Sequence, residues 1–393
     1  MSFYRLEGRM DLLPGTIWGG NDETIYLPEC PEPESDAEPL FWIVDKRGKR
    51  TPLAWAGGFA LDDDAFSKVR DCASLTEGRP VLTHIPFHPH RLPPSARALM
   101  RSIMATARYF RSKNMFPRWP IEPSLAVLDA IDRIARPDTQ TRFWPNQADF
   151  AMALSHDVDT AIGQKNVLPL AEIEEDSGLR STWFLTPGNY DVDEVLWREM
   201  AERGHEIACH GLFHDFKLGY LTPAQIGVRL DKALQLMASF DVRGFRAPGF
   251  LRTRPLLDAV TPRFLYDSSI PDTLTLHGSS GCASVFPYML GSLAEIPVTL
   301  PYDGEMMALG MGLEAREEIW KRKAKWVKEV GGLIHILTHP DQEFTSNGEE
   351  RELYRRTLGD LKSEQERTWF PLLKDIAAFL NGDVVSSQDY EKD

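Results

Sequence analysis

Beyond about residue 148 short apolar runs alternate with helical patterns, and this alternation constrains the fold more than any other feature of the chain. The candidate strands are Phe150–Ser155, Ser181–Leu185, Glu206–Cys209, Val242–Arg246, Phe264–Asp267, Leu293–Val298 and Leu333–Leu337. Between them Asp193–Glu202, Pro223–Phe240 and Glu314–Val330 carry apolar residues at helical spacing. Strand–helix alternation predicts a parallel sheet, and seven repeats predict a closed or nearly closed barrel. A last helical stretch, Glu349–Leu380, is expected to pack on its outside.

The first 145 residues have another texture. Residues 28–39 are rich in Pro and Glu and read as an irregular surface segment. Phe41–Val44 and Thr51–Trp55 flank Lys46-Arg47-Gly48-Lys49 as a hairpin would. Pro94–Lys113 and Pro123–Ala135 read as helices, with Pro117, Pro120 and Pro137 separating the blocks. The expected organisation is an α/β protein, a distorted (β/α)7 barrel over 146–393, with an N-terminal mixed α+β accessory region over 1–145. Trp42, Trp55 and Trp119 are read as core, with a cap over the barrel mouth as the alternative.

Composition removes several function classes. A formal charge of −14 argues against a nucleic-acid partner, because phosphate binding draws on clustered Lys and Arg. The densest basic stretch, Lys321, Arg322, Lys323, Lys325 and Lys328, interleaves with Trp320 and Trp326. Ile319, Trp326, Val327 and Val330 there form a helical stripe to bury, so the charges read as a solvated face. The first residues carry acidic and basic side chains where a signal peptide needs an apolar run, and no stretch is long and apolar enough for a transmembrane helix. Cys30, Cys72, Cys209 and Cys282 lack paired spacing and read as reduced thiols. Together these predict a cytoplasmic protein.

Chemistry-bearing residues recur at the carboxyl ends of the predicted strands, where parallel α/β folds gather their catalytic groups. Asp157 and Asp159 follow the first strand, His210 and His214 the third, Arg246 the fourth, Asp267 the fifth and His339 the seventh. Packing alone does not explain polar residues recurring at one end of an apolar barrel. Catalytic zinc is typically held by three His or carboxylate ligands with one position open to water. His210 and His214 are four apart, so one helical turn would place both on one face. Either Asp157 or Asp159 would complete an Asp-His-His set; the two can face one side of a strand, leaving the other free as a base. Arg246 can keep a base carboxylate ionised and fixed, a histidine opposite can protonate the leaving group, and a backbone amide near Gly249 can stabilise an oxyanion. Each motif alone is weak, since H-x-x-x-H pairs and Asp-Val-Asp turns are common in structural roles. Their joint order and placement carry the reading.

Over roughly residues 148–380 these motifs resemble the NodB-type polysaccharide deacetylases, carbohydrate esterase family four and its relatives. Asp157 and Asp159 match an Asp-x-Asp variant of the first motif, His210 and His214 the second, and Arg246 with Pro248 the third. Tyr266-Asp267-Ser268-Ser269 is similar to the fourth and His339 to the fifth, while Trp183-Phe184 is similar to the second strand. The resemblance implies Asp157 as base and Asp159, His210 and His214 as ligands of zinc or another divalent transition metal. It further implies that Arg246 tethers Asp157, that His339 is the acid, and that Asp267 orients it. Two departures stand out. Asp157-Val158-Asp159-Thr160 replaces the usual Asp-Asp-Gly-Pro, as in the branch acting on non-polymeric substrates, and no tryptophan follows Asp267 closely. His156 and His335 flank the motifs and read as structural neighbours.

The expected activity is metal-dependent removal of an N-acyl group, N-acetyl in the first instance, from an amino sugar or glycan precursor. The alternatives are hydrolysis of a linear or cyclic non-sugar amide, as an allantoinase-like enzyme would perform, and an inactive barrel that binds glycan or protein. The C-terminal helical stretch offers a surface for pairing between copies of the chain.

Overall fold

The computed structural model describes residues 2–12, 24–27, 31, 35–61, 125–136, 143–272, 284–341, 344–362 and 367–383. The expected helix Pro94–Lys113, Trp119, Cys30, Cys72, Cys282 and most of the Pro- and Glu-rich stretch lie outside those residues.

In the N-terminal region β1 (Ser2–Gly8), β2 (Thr24–Leu27), β3 (Pro39–Val44), β4 (Arg50–Trp55) and β5 (Gly58–Phe59) form an antiparallel sheet in the order β2-β1-β3-β4-β5. The expected hairpin joins β3 to β4. Asp45 shapes its turn by accepting the Arg47 and Lys49 amides at 2.8 and 2.9 Å, and Gly48 supplies a left-handed φ of 82°. Phe41, Ile43 and Leu53 are among its buried residues, whereas Trp42 and Trp55, expected in the core, are half-buried. Trp42 lies under the Arg50 guanidinium at 4.7 Å. Helix α1 (Leu125–Ala135) packs on β4 and β5.

The larger unit alternates strands and helices as the sequence predicts. Its elements are β6 (Phe150–Val158), α2 (Ala161–Lys165), α3 (Val167–Asp176), β7 (Ser181–Leu185), α4 (Glu194–Glu202), β8 (Glu206–Cys209), α5 (Pro223–Leu236) and β9 (Gly244–Phe245). There follow α6 (Arg254–Val260), β10 (Tyr266–Asp267), β11 (Tyr288–Leu290), β12 (Leu293–Glu295), α7 (Asp303–Ala308), α8 (Leu313–Val330) and β13 (Leu333–Thr338). Helix α9 (Gly348–Lys362), β14 (Thr368–Trp369) and α10 (Leu373–Leu380) complete it. The sheet order is β11-β12-β10-β9-β8-β7-β6-β13, with β14 also on β6. All pairings are parallel except that of β11 with β12. Strand β6 is buried along its whole length, as a strand covered on both faces must be.

The sheet is a curled, distorted barrel whose last gap has no strand ladder among the described residues. Thr299 and Leu300 bridge it, donating backbone N–H groups to the His335 carbonyl at 3.3 and 3.1 Å. The Thr299 hydroxyl adds a bond to the Leu333 carbonyl at 2.6 Å. At the floor the first amides of α10 reach between the strands: Leu373 to the Thr182 hydroxyl at 3.3 Å and Lys374 to Glu206 at 3.1 Å. Tyr266 crosses the interior to Glu206 at 2.9 Å, over Gly244, where a Cβ would lie 1.9 Å from the phenol ring.

Three expectations need correction. The stretch Glu349–Leu380 is two helices with β14 between them, because Thr368-Trp369-Phe370-Pro371 offers β-formers followed by a residue that cannot donate to a helix. Helix α5 ends at Leu236, four residues before the expected Phe240. Lys323, read as part of a solvated face, is fully buried in an ion pair with Asp272, while Ile319, Trp326, Val327 and Val330 form the expected buried stripe.

Burial raises Glu206 from 4.5 to about 7, against the lowering effect of the Thr182 and Tyr266 hydroxyls and the Lys374 amide. The unfolded carboxyl ionises near 4.5, so between about 4.5 and 7 only the folded state keeps the proton, and stability falls as pH rises through that window. The shift corresponds to roughly 3 kcal/mol. Glu206→Gln should flatten that loss; equal loss of urea stability between pH 5 and 8 in wild type and variant would refute it.

Candidate active site

The register of the parallel strands decides which side chains enter the barrel. Ser155 pairs with Thr182 and Leu337, Asp157 with Phe184, Thr182 with Glu206, and Tyr266 with Gly244, so these residues share the inner face. Their neighbours one position along, His156, Trp183, Phe245 and Asp267, share the helix-facing side.

Arg246, from the end of β9, is fully buried inside and donates Nη1 to Asp157 Oδ1 at 2.7 Å. Its guanidinium lies over the Phe184 ring at 4.0 Å. Burial alone would raise the Asp157 carboxyl, but His210, Arg246 and His339 outweigh it and hold Asp157 below its ordinary value.

Beside this pair Asp159, His210 and His214 bring one ligand atom each within 4.8 Å of one another, and all three are buried. Asp159 lies 3.6 Å from His210 Nε2 and 3.5 Å from His214 Nε2. The histidines converge through a loop rather than the expected helical turn; Gly211, at φ 76°, turns the chain between them. His210 Nδ1 donates to the Arg246 carbonyl at 2.9 Å, which leaves Nε2 as a lone pair aimed into the cluster.

Two properties of this set fit a divalent cation. Asp159 Oδ1 and His210 Nε2 are buried without a hydrogen-bond partner, which is costly unless another group completes them. Burial raises Asp159 well above its ordinary value; His339 opposes this, while Asp341, Asp157 and Asp303 add to it. A cation there would reverse that repulsion. His210 is lowered to about 4, first by burial, so it is a neutral ligand at pH 7.

His339, after β13, completes the mouth. Its Nδ1 meets Asp303 Oδ1 at 2.7 Å, and its backbone amide donates to Asp303 Oδ2 at 2.7 Å. The Thr345 hydroxyl donates to the same oxygen at 2.9 Å. Burial would lower His339, but Asp303, with Asp159 and Asp157 beyond it, raises it to about 10. The Tyr302 and Phe344 rings lie 5.8 and 5.2 Å from the imidazole.

The carboxylate holding His339 is therefore Asp303, and the expected role of Asp267 is corrected. Asp267 sits on the helix-facing side, where Ser269 donates to it at 2.6 Å. One residue further along, Ser268 faces inward and accepts Arg246 Nη2 at 3.0 Å. Asp303 was missed because it follows an irregular segment after β12. The signal was an acidic residue opening a helix at a strand's carboxyl end, in Tyr302-Asp303-Gly304. Gly249 lies in a 3-10 turn at φ 62°, where a Cβ would come 2.6 Å from the Phe216 ring, so close packing demands glycine there. His156 is on the outer side, bonded to Glu174 of α3 at 2.6 Å and stacked on Trp183 at 4.0 Å.

Two outcomes test this site. Purified protein should bind one divalent transition ion, and His210→Ala should lose it, as measured by elemental analysis and competition with a chelator. Asp303→Asn should bring the His339 titration down from about 10 towards the ordinary 6.5, read by NMR. The charged imidazolium favours the folded state fully below about 6.5 and progressively less up to about 10, so the variant should lose stability at neutral pH. An unchanged His339 titration would remove Asp303 from this role.

Residues 149–261 match the family model described as polysaccharide deacetylase. Among solved structures, Puue allantoinase aligns at 15% identity with a TM-score of 0.52, covering 62% of this chain and 94% of that one. The protein described as a "probable Polysaccharide deacetylase" from Pseudomonas aeruginosa PAO1 aligns at 14% identity with a TM-score of 0.51, covering 63% and 95%. At these identities the likeness is one of fold. No curated protein sequence matches the chain. Residues 149–261 thus match the polysaccharide deacetylase family model, and the curled barrel around them is similar in fold to these solved structures.

Proposed function

We propose that this protein hydrolyses the N-acyl bond, N-acetyl in the first instance, of an amino sugar or small glycan precursor. Asp159, His210 and His214 would hold zinc or another divalent transition ion. The observation carrying this reading is the flanking of that set by an Arg246-bound carboxylate on one side and an Asp303-bound histidine on the other. When bound, the ion polarises the acyl carbonyl and acidifies the attacking water.

The rest falls to the chain's own groups. Asp157 takes the proton of the water through Oδ2, the oxygen not engaged by Arg246, while Arg246 keeps the carboxylate ionised and oriented. His339 is charged at neutral pH and gives its proton to the departing nitrogen, with Asp303 fixing the ring through Nδ1. The backbone near Gly249 faces the developing oxyanion in this scheme. An inert binding barrel does not call for a cation site flanked by a carboxylate and an imidazolium. The reading keeps the sequence-based cytoplasmic location and the division of the chain near residue 145.

A second reading is a non-sugar linear or cyclic amide. It is favoured by Asp157-Val158-Asp159 in place of paired aspartates, and an allantoinase shares the fold. No helix among the described residues is long and apolar enough to cross a membrane.

Metal-loaded protein should release acetate from N-acetylated amino sugars, including nucleotide-linked ones, and Asp157→Asn should lower kcat by roughly 10²- to 10⁴-fold with the metal retained. Turnover of ureides instead would select the second reading. No turnover of either class with stoichiometric metal would overturn both.

A further inference from the structure

The inner face beneath Asp157 holds a serine–histidine pair that the mechanism above does not use. We propose that Ser155 and His335 are positioning residues that direct the Arg246 charge onto Asp157, an inference that rests on the proposed amide hydrolysis. Arg246 has five polar partners within the barrel. Nη1 goes to Asp157 at 2.7 Å and Nε to the Ser268 carbonyl at 3.1 Å. Nη2 goes to the hydroxyls of Ser155 and Ser268 at 3.0 Å each and faces His335 Nε2 at 3.4 Å. Among the described residues Asp157 is the one carboxylate in an ion pair with it.

The direction of each bond follows from His335. Its Nδ1 meets the Pro297 carbonyl at 3.0 Å, and a carbonyl can only accept, so Nδ1 carries the proton and Nε2 is a lone pair. The Ser155 hydroxyl, 2.8 Å away, must then donate to Nε2 and turn its own lone pairs towards Arg246. His335 is fully buried, and its ring nitrogens meet Arg246, Ser155 and the Pro297 carbonyl. It acts as a neutral acceptor. A carboxylate at this position would compete with Asp157 for the guanidinium, and an aliphatic residue would leave the buried Ser155 hydroxyl without this acceptor.

The pair looks like the beginning of a nucleophile–base couple, but geometry excludes that use. Ser155 is fully buried one turn of the pleat below Asp157, and its proton points to His335 on the neighbouring strand β13. What the pair does is tie β6 to β13, the two strands whose ends present Asp157 and His339.

The test uses the full-length, metal-loaded protein. His335→Leu should lower kcat by roughly 10- to 100-fold with KM and metal content unchanged, since a displaced catalytic group costs on that order. His335→Gln, whose amide can donate to the Pro297 carbonyl and accept from Ser155, should restore most of the rate. On an Asp157→Asn background His335→Leu should cost little more. Wild-type kcat in His335→Leu, or an equal loss on both backgrounds, overturns the proposal. Ser155→Ala, a smaller change, answers the same question if His335→Leu does not fold. An NMR measurement separates this from the functional reading. Hindered rotation of the Arg246 guanidinium should show as resolved Nη signals that merge in His335→Leu, whether or not an amide substrate is found. Signals that stay resolved count against the clamp, and absence of any amide turnover counts against the function.

Discussion

The ion pair between Arg246 and Asp157 is the constraint around which the barrel is arranged. Two charges removed from water cost several kcal/mol each unless geometry and additional hydrogen bonds compensate them. The interior is accordingly polar at this level: Ser155, Ser268, His335 and a backbone carbonyl complete the guanidinium, and Phe184 covers its face. The same residue reaches a second part of the site, because the Arg246 carbonyl sets the tautomer of His210. One residue thus orients both a carboxylate through its side chain and an imidazole through its backbone.

Two histidines in one pocket are held in opposite states by what touches their Nδ1 atoms. A backbone carbonyl beside His210 leaves burial in control, and the ring is neutral down to about pH 4. A carboxylate beside His339 overrides burial, and the ring stays charged to about 10. Separating the titrations of neighbouring groups in this way is how one pocket can offer a metal ligand and an acid at the same pH.

Much of this was legible in the sequence, for definite reasons. Strand–helix alternation gave the fold class, since β7 and β8 fall on their expected residues and β6 and β13 run only slightly longer. The strand-end placement brought Asp157, Asp159, His210, His214, Arg246 and His339 together. Asp267 failed because sheet side chains alternate, so a motif located correctly along the chain was one residue out of register with the barrel interior. Asp303 escaped because the segment before it bridges the barrel gap without regular strand pairing, and a periodicity argument has nothing to register there. Lys323 escaped because its partner, Asp272, comes from another strand's loop, and long-range pairing leaves no mark on a helix's own pattern.

The connectivity around β6 bears on how the chain acquires this structure during synthesis. Its neighbours are β7, which follows soon after, and β13 and β14, which come roughly two hundred residues later. The floor beneath it is likewise closed by α10 near the end of the described chain. A ribosome adding about 5–20 residues per second would expose the first strand's open edge for on the order of ten seconds or more before its partners emerge. The strand that presents Asp157 and Asp159 is therefore the first of the larger sheet to be made and among the last to be enclosed. Unpaired edges of that kind attract other chains. Chaperone dependence in this protein should concentrate on that interval rather than on the finished barrel.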